Sequence, residues 1–116
     1  MKRPLGIASP RTHPAWISPT NLDLAWAAGF LEGEGHFRFQ SKSQTVCANQ
    51  VNIEPVSRLL SIFGGRCVLL TNMKAKFGRQ PQWHWYINGA RARGVMMTLY
   101  PFFSDLRKQQ ILAALV

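Results

Sequence analysis

Between Trp26 and Lys42 the hydrophobic period of this chain switches from helical to extended, and only Gly33-Glu34-Gly35 separates the two regimes. The run Leu22-Asp23-Leu24-Ala25-Trp26-Ala27-Ala28-Gly29-Phe30-Leu31-Glu32-Gly33 reads as a helix. It is entered through Ser18-Pro19-Thr20-Asn21, where Thr20 or Asn21 can cap and Asp23 puts an acid in the first turn. Immediately afterwards His36-Phe37-Arg38-Phe39-Gln40-Ser41-Lys42 alternates strictly, with Phe37 and Phe39 facing one way and His36, Arg38, Gln40 and Lys42 the other. A helix that feeds its chain straight into a strand has to be built against the sheet it feeds. Purely helical and purely β architectures are thereby excluded.

The remaining elements follow from the same periodicities. Gln44 to Ile53 predicts a second strand, with Cys47, Val51 and Ile53 on one parity and Gln44, Ala48, Gln50 and Asn52 on the other. Glu54-Pro55-Val56 opens a helix with Leu59, Leu60, Ile62 and Phe63 as its stripe, and Gly64-Gly65 stops it. Arg66 to Thr71 is a strand, then comes a basic loop with Lys74, Lys76 and Arg79. Gln82 to Asn88 is an alternating strand, with Trp83, Trp85 and Ile87 inward and Gln82, His84 and Tyr86 outward. A helix from Gly89 ends at Tyr100-Pro101, and a last one spans about Ser104 to Val116. The order αββαββαα predicts a single α+β domain over 21–116, a four-stranded antiparallel saddle sheet with helices on one face. A proline-rich basic arm, 1–20, lies on it.

Charge decides what the open face is for. Fourteen Lys and Arg oppose five acids, a net charge of +9, in a chain with few charges of any kind. Acids are scarce rather than bases clustered, which points to a folded, phosphate-attracting domain. The open sheet face would carry His36, Arg38, Gln40, Lys42, Gln44, Gln50, Asn52, Arg66, Gln82, His84 and Tyr86, which are donors and acceptors suited to base edges and phosphates. A solvated sheet face with no partner is the plainer reading of the same residues. No apolar stretch is long enough to cross a bilayer, so no membrane partner is expected. Two cysteines, Cys47 and Cys67, with no CxxC spacing, exclude a disulfide scaffold and argue against zinc.

The helix ending at Gly33-Glu34-Gly35 has small residues, Ala25, Ala28 and Gly29, spaced to admit another backbone. It ends in a carboxylate where the helix dipole is already negative. Either the acids merely solvate the helix end, or a cation offsets them. Magnesium suits the second reading, because it binds hard oxygens and often uses only one or two carboxylates.

The stretch Trp26 to Phe37 resembles the signature of the LAGLIDADG homing endonucleases in a variant ending Glu-Gly-Glu-Gly, with Ala27 where the motif name has Leu. Gly64-Gly65, Trp83-His84-Trp85, Gly89-Ala90-Arg91, Tyr100-Pro101 and Leu106-Arg107-Lys108-Gln109-Gln110 resemble family landmarks in family order, so the likeness covers about Leu22 to Val116. It implies a site-specific double-strand DNA endonuclease using Mg²⁺ or Mn²⁺, intracellular, of intron, intein or free-standing type, with no small-molecule substrate.

With one motif, the resemblance implies a homodimer on a near-palindromic site, packed through Ala25, Ala28, Gly29 and Glu32. By the same resemblance Glu34 would hold the catalytic metal, with the Gly33 carbonyl as a further ligand and Glu32 stabilising the helix junction. Arg107, with Lys108 as its alternative, stands where relatives place a basic residue near the scissile phosphate, and Ile53 stands where they often carry a polar one. The alternative function is a non-cleaving or nicking relative: an RNA-splicing maturase or a DNA-binding regulator.

Overall fold

The computed structural model describes residues 9–15, 17–71 and 81–116. In chain order they form β1 (Ser9–His13), α1 (Asn21–Glu34), β2 (Gly35–Gln40), β3 (Ser43–Gln50), α2 (Ile53–Phe63), β4 (Gly65–Leu70), β5 (Gln82–Asn88), α3 (Gly89–Leu99), a 3-10 turn (Tyr100–Phe102) and α4 (Asp105–Leu115). The sheet is antiparallel with strand order β1-β4-β5-β3-β2. The four strands expected from sequence are present. A fifth, β1, comes from the arm and pairs its backbone with β4 from Ser9 opposite Cys67 to His13 opposite Gly65. No helix among the described residues is long and apolar enough to cross a membrane.

Local chemistry sets the element ends. Thr20 forms a capping box at the start of α1: its hydroxyl accepts from Asp23 N–H at 3.2 Å, and Asp23 Oδ2 accepts from Thr20 N–H at 2.9 Å. Gly35 follows with no intervening residue, its N–H closing on Leu31 O. A Cβ on Gly35 would stand 2.7 Å from that carbonyl, so the helix can run into β2 only through glycine. After α2 the chain turns through Gly64 and Gly65, at φ 75° and 106°. A Cβ on Gly65 would meet Tyr86 O at 2.6 Å, because β4 must start flush against β5.

All four helices pack on one sheet face. The core between the layers is Ala27, Ala28 and Leu31 of α1, Phe37, Val46, Ala48, Cys67, Trp85 and Ile87 of the sheet, and Leu59, Leu60, Met96, Leu99 and Ile111 of the other helices. Trp85 is its centre, with Nε1 donating to Gly64 O at 2.9 Å.

One expected alternation is reversed. In β3 it is Gln44, Val46 and Ala48 that face the helices, while Thr45, Cys47 and Asn49 face the open side. Two residues that suggested the other parity are not in the strand at all. Val51 lies in the bend after β3, half exposed, and Ile53 is the first residue of α2. With them gone, Val46 opposite Phe37 and Ile87 fixes the face.

Candidate nucleic-acid interface and carboxylate centre

The register assembles the open face in rows. Residues directly opposite in antiparallel strands share a face. One row therefore runs His36, Cys47, Tyr86, Arg66 across β2, β3, β5 and β4. A second runs Arg38, Thr45, Asn88, and a third Asn49, His84, Val68. Gln40 and Gln82 extend the face at the strand ends. Arg66 lies over the Tyr86 ring and donates to its hydroxyl at 3.4 Å, while His84 also stacks on Tyr86 and shares a hydrogen bond through Nδ1 with Asn49 Oδ1. A concavity of about 340 Å³ opens between Arg38, Gln40, Thr45, Cys47, His84 and Tyr86.

Lys42 projects from the tip of the β2–β3 hairpin, where Ser41 and Lys42 sit at φ 50° and 68°. Both positions are left-handed, the two-residue turn that Asn-Gly fills most readily, and each other residue there costs about 1 kcal/mol. Replacing Ser41-Lys42 with Asn-Gly is therefore expected to stabilise the fold by about 1 kcal/mol or more in urea melts. The same exchange removes a cation from the face, and a salt titration of duplex binding should lose about one unit of log-log slope if Lys42 meets a phosphate.

Three residues expected on this face lie elsewhere. Gln44 is 7% exposed and donates through Nε2 to Ala114 O at 3.2 Å, tying β3 to α4. Asn52 caps α2, its Oδ1 accepting from Glu54 N–H at 3.1 Å. Gln50 points to the helical side, where its Nε2 donates to Glu34 Oε1 at 2.8 Å. Lys74, Lys76 and Arg79 lie outside the described residues.

Glu34 is exposed at the last position of α1, with no basic residue in that turn. Among the described residues no lysine or arginine forms an ion pair with it. Its neighbour in the motif behaves differently. Glu32 accepts from Ser104 N–H at 2.7 Å and from Ser104 Oγ at 2.8 Å, latching the end of α1 to the start of α4. The Ser104 backbone N–H, more than the Ser104 hydroxyl or Arg107, holds the Glu32 carboxyl below the usual range.

Arg107 seals the same junction. Its Nε donates to Glu32 O at 2.9 Å and its Nη1 to Gln110 Oε1 at 2.9 Å, with the guanidinium over Phe37. Lys108 lies over the Tyr100 ring. Neither is bonded to Glu34. Of the four interface residues expected on α1, Ala25 and Gly29 are exposed and Glu32 is half-buried, but Ala28 is turned into the protomer's own core.

The donor set at the α1 tip fits a hard divalent ion only sparsely. Among the described residues no three His, Cys, Asp or Glu side chains gather into a metal cage. One exposed carboxylate, with Gly33 preceding it at the helix end, matches an ion that completes its shell with water, phosphate or a second protomer. Cys47 and Cys67 are both free thiols, and burial pushes Cys67 up to about 11.

Burial lowers both sheet histidines, helped at His36 by Arg38 and Arg107 and opposed by Glu34, and helped at His84 by His36. Below the ordinary 6.5 the unfolded chain takes up these protons more readily than the fold does. Stability should therefore fall as pH drops from 6.5 toward the depressed values, with Asp23 and Glu32 adding a further loss below the usual carboxylate range. Affinity for a polyanion should move the opposite way, since protonated histidines add charge to the face. Paired melts and duplex titrations at two pH values test both signs.

No protein-family model matches this chain, and no curated protein matches it. A solved structure described as the group I intron-encoded homing endonuclease I-CeuI complexed with DNA is similar, with a TM-score of 0.52 and 18% sequence identity over 83% of this chain and 53% of that one. The chain spans about half the length of that structure. Its fold is the homing-endonuclease-like α+β fold.

Proposed function

We propose that this chain is a site-specific, divalent-metal-dependent DNA endonuclease that acts as a homodimer. The observation that carries the reading is Glu34: an exposed carboxylate at the negative end of a helix, at the border of a basic, acid-poor sheet face. A pure binder gains nothing from an acid aimed at phosphate. The DNA in the solved I-CeuI complex and the fold shared with it support the choice of partner.

Arg38, Lys42 and Arg66 supply backbone attraction, and Gln40, Gln82 and the His84–Tyr86 pair supply groups able to read base edges. Gln50 holds one oxygen of Glu34, which would orient the carboxylate and leave its other oxygen for a metal ion or phosphodiester. Gly33 would offer a backbone carbonyl beside it. The chemistry a bound Mg²⁺ or Mn²⁺ supplies there is charge stabilisation on the scissile phosphate and activation of water. Ala25, Gly29 and Gly33 form a continuous exposed ridge on α1, and a Cβ at either glycine would meet nothing within 4 Å. Among the described residues nothing needs those glycines, whereas a second α1 packed backbone to backbone would. Two Glu34 tips then meet at the twofold axis.

A randomised duplex library incubated with Mg²⁺ and, separately, with Ca²⁺ tests the reading. Cut products with Mg²⁺ and retained but uncut duplex with Ca²⁺ are expected. Absence of both would remove DNA as the partner.

One observation favours the second reading, a nicking or non-cleaving binder. Arg107 is bonded to Glu32 O and Gln110 rather than facing Glu34, and Lys108 lies on Tyr100. An enzyme that uses Arg107 on phosphate should lose more rate than binding in Arg107→Ala. If Arg107 serves only the junction, the variant instead melts lower while its rate per folded molecule is unchanged.

A further inference from the structure

The ridge on α1 is too small to hold two copies together by itself. A 14-residue helix is about 21 Å long and about 10 Å across, a footprint of roughly 200 Å². A stable specific interface takes about 800 Å² from each partner. Leu22, 81% exposed, is the only large side chain on the ridge line, which otherwise offers Ala25, Gly29 and Gly33.

The missing area lies next to the ridge. Glu32 stands at its edge and is bonded to Ser104, so the 3-10 turn and the first turn of α4 are fastened beside the carboxyl-terminal half of α1. The large apolar side chains flanking Ser104 point outward: Phe102 is 55% and Leu106 65% exposed, while the intervening Phe103 is buried edge-on against Phe37. The fold already has the aromatic it needs at this corner. Among the described residues Phe102 and Leu106 are not part of the buried core, and exposing both costs solubility.

We propose that Phe102 and Leu106 form a second contact zone of the homodimer, buried by the other copy when the α1 ridges meet. The inference rests on the dimeric reading above. Because Ser104, between the two, is bonded to Glu32, two residues before Glu34, burial of the zone also shields the Glu32–Ser104 latch from water. Dimer formation and the fixing of the carboxylate tip thus become one event.

The test is sedimentation equilibrium of the full chain, with and without a duplex, comparing wild type, Phe102→Glu/Leu106→Glu, Gly29→Leu and Leu112→Glu. Leu112 is 51% exposed near the far end of α4 and serves as an apolar-to-acid control on the same helix. The substituted side chains are exposed, so circular dichroism should report the wild-type fold in each. The double variant is expected to weaken dimerisation by at least a hundredfold, with Leu112→Glu at the wild-type value. A double variant that dimerises like wild type while Gly29→Leu is monomeric would overturn this zone and leave the two-helix dimer standing. Equal losses in the double variant and in Leu112→Glu would also overturn it, since the effect would then be one of charge on α4. A wild-type chain that is monomeric in both conditions would overturn the dimeric reading itself.

Discussion

Glu34→Gln is expected to eliminate metal-dependent cleavage while duplex binding stays level or tightens. The amide keeps the size of the side chain, and its oxygen can still accept from Gln50 Nε2. What disappears is the charge, and with it the one side-chain carboxylate the tip offers to a hard divalent ion. Charge stabilisation of this kind is worth several kcal/mol, so single-turnover cleavage should slow by a factor on the order of a thousand or more. Binding moves the other way, because a like charge has been removed beside phosphate. Cleavage with Mg²⁺ and gel shift with Ca²⁺, measured on one preparation, separate the two. A variant that cuts at the wild-type rate would take Glu34 out of the chemistry. Joint loss of binding and cutting would make it a structural residue.

Trp85→Ala is expected to produce the largest loss of stability. The side chain is fully buried in the middle of β5, its ring 6.4 Å from that of Phe63. Truncating a buried Trp costs about 3–5 kcal/mol, against a total stability of roughly 5–15 kcal/mol for a domain. The loss is compounded by the Gly64 carbonyl, which would be left without its indole donor. The Gly64-Gly65 bend is shaped round that indole, with the Cβ position of Gly65 only 3.3 Å from Nε1. A fall in Tm of about 15 °C or more is expected. Trp85→Phe, which restores volume but not the donor, should fall between. An alanine variant melting within a few degrees of wild type would mean that the sheet is held elsewhere.

The helices were legible because period and caps agree. Thr20 with Asp23 marks one start and Ser104 another, and Gly64 and Tyr100-Pro101 mark ends that the structure keeps. The face of β3 was not legible from alternation, because both parities offered apolar residues and the strand stops before Val51 and Ile53. A better signal was available in the turn. Counting back from a two-residue turn at Ser41-Lys42 pairs Phe37 with Val46 and Gly35 with Ala48, as observed. Continuing that count brings Gln50 beside the end of α1, and so to Glu34. The fifth strand had no such signal, since Ser9–His13 carries no hydrophobic alternation and pairs through its backbone. Of the candidate site, the open-face residues of β2, β4 and β5 were readable from period two. Arg107 was read by resemblance alone, and its bond to Glu32 O depends on where α4 docks.

The seam at Gly35 also limits how such a protein can change over generations. With Gly35 alone between Glu34 and His36, one added or deleted amino acid would turn every β2 side chain to the opposite side and shift the acidic tip as well. Length variation is thus closed off at this seam. New properties of the open face would have to arise by exchanging outward side chains one at a time on an unaltered frame, and each descendant would inherit the same spacing between that face and the acidic tip.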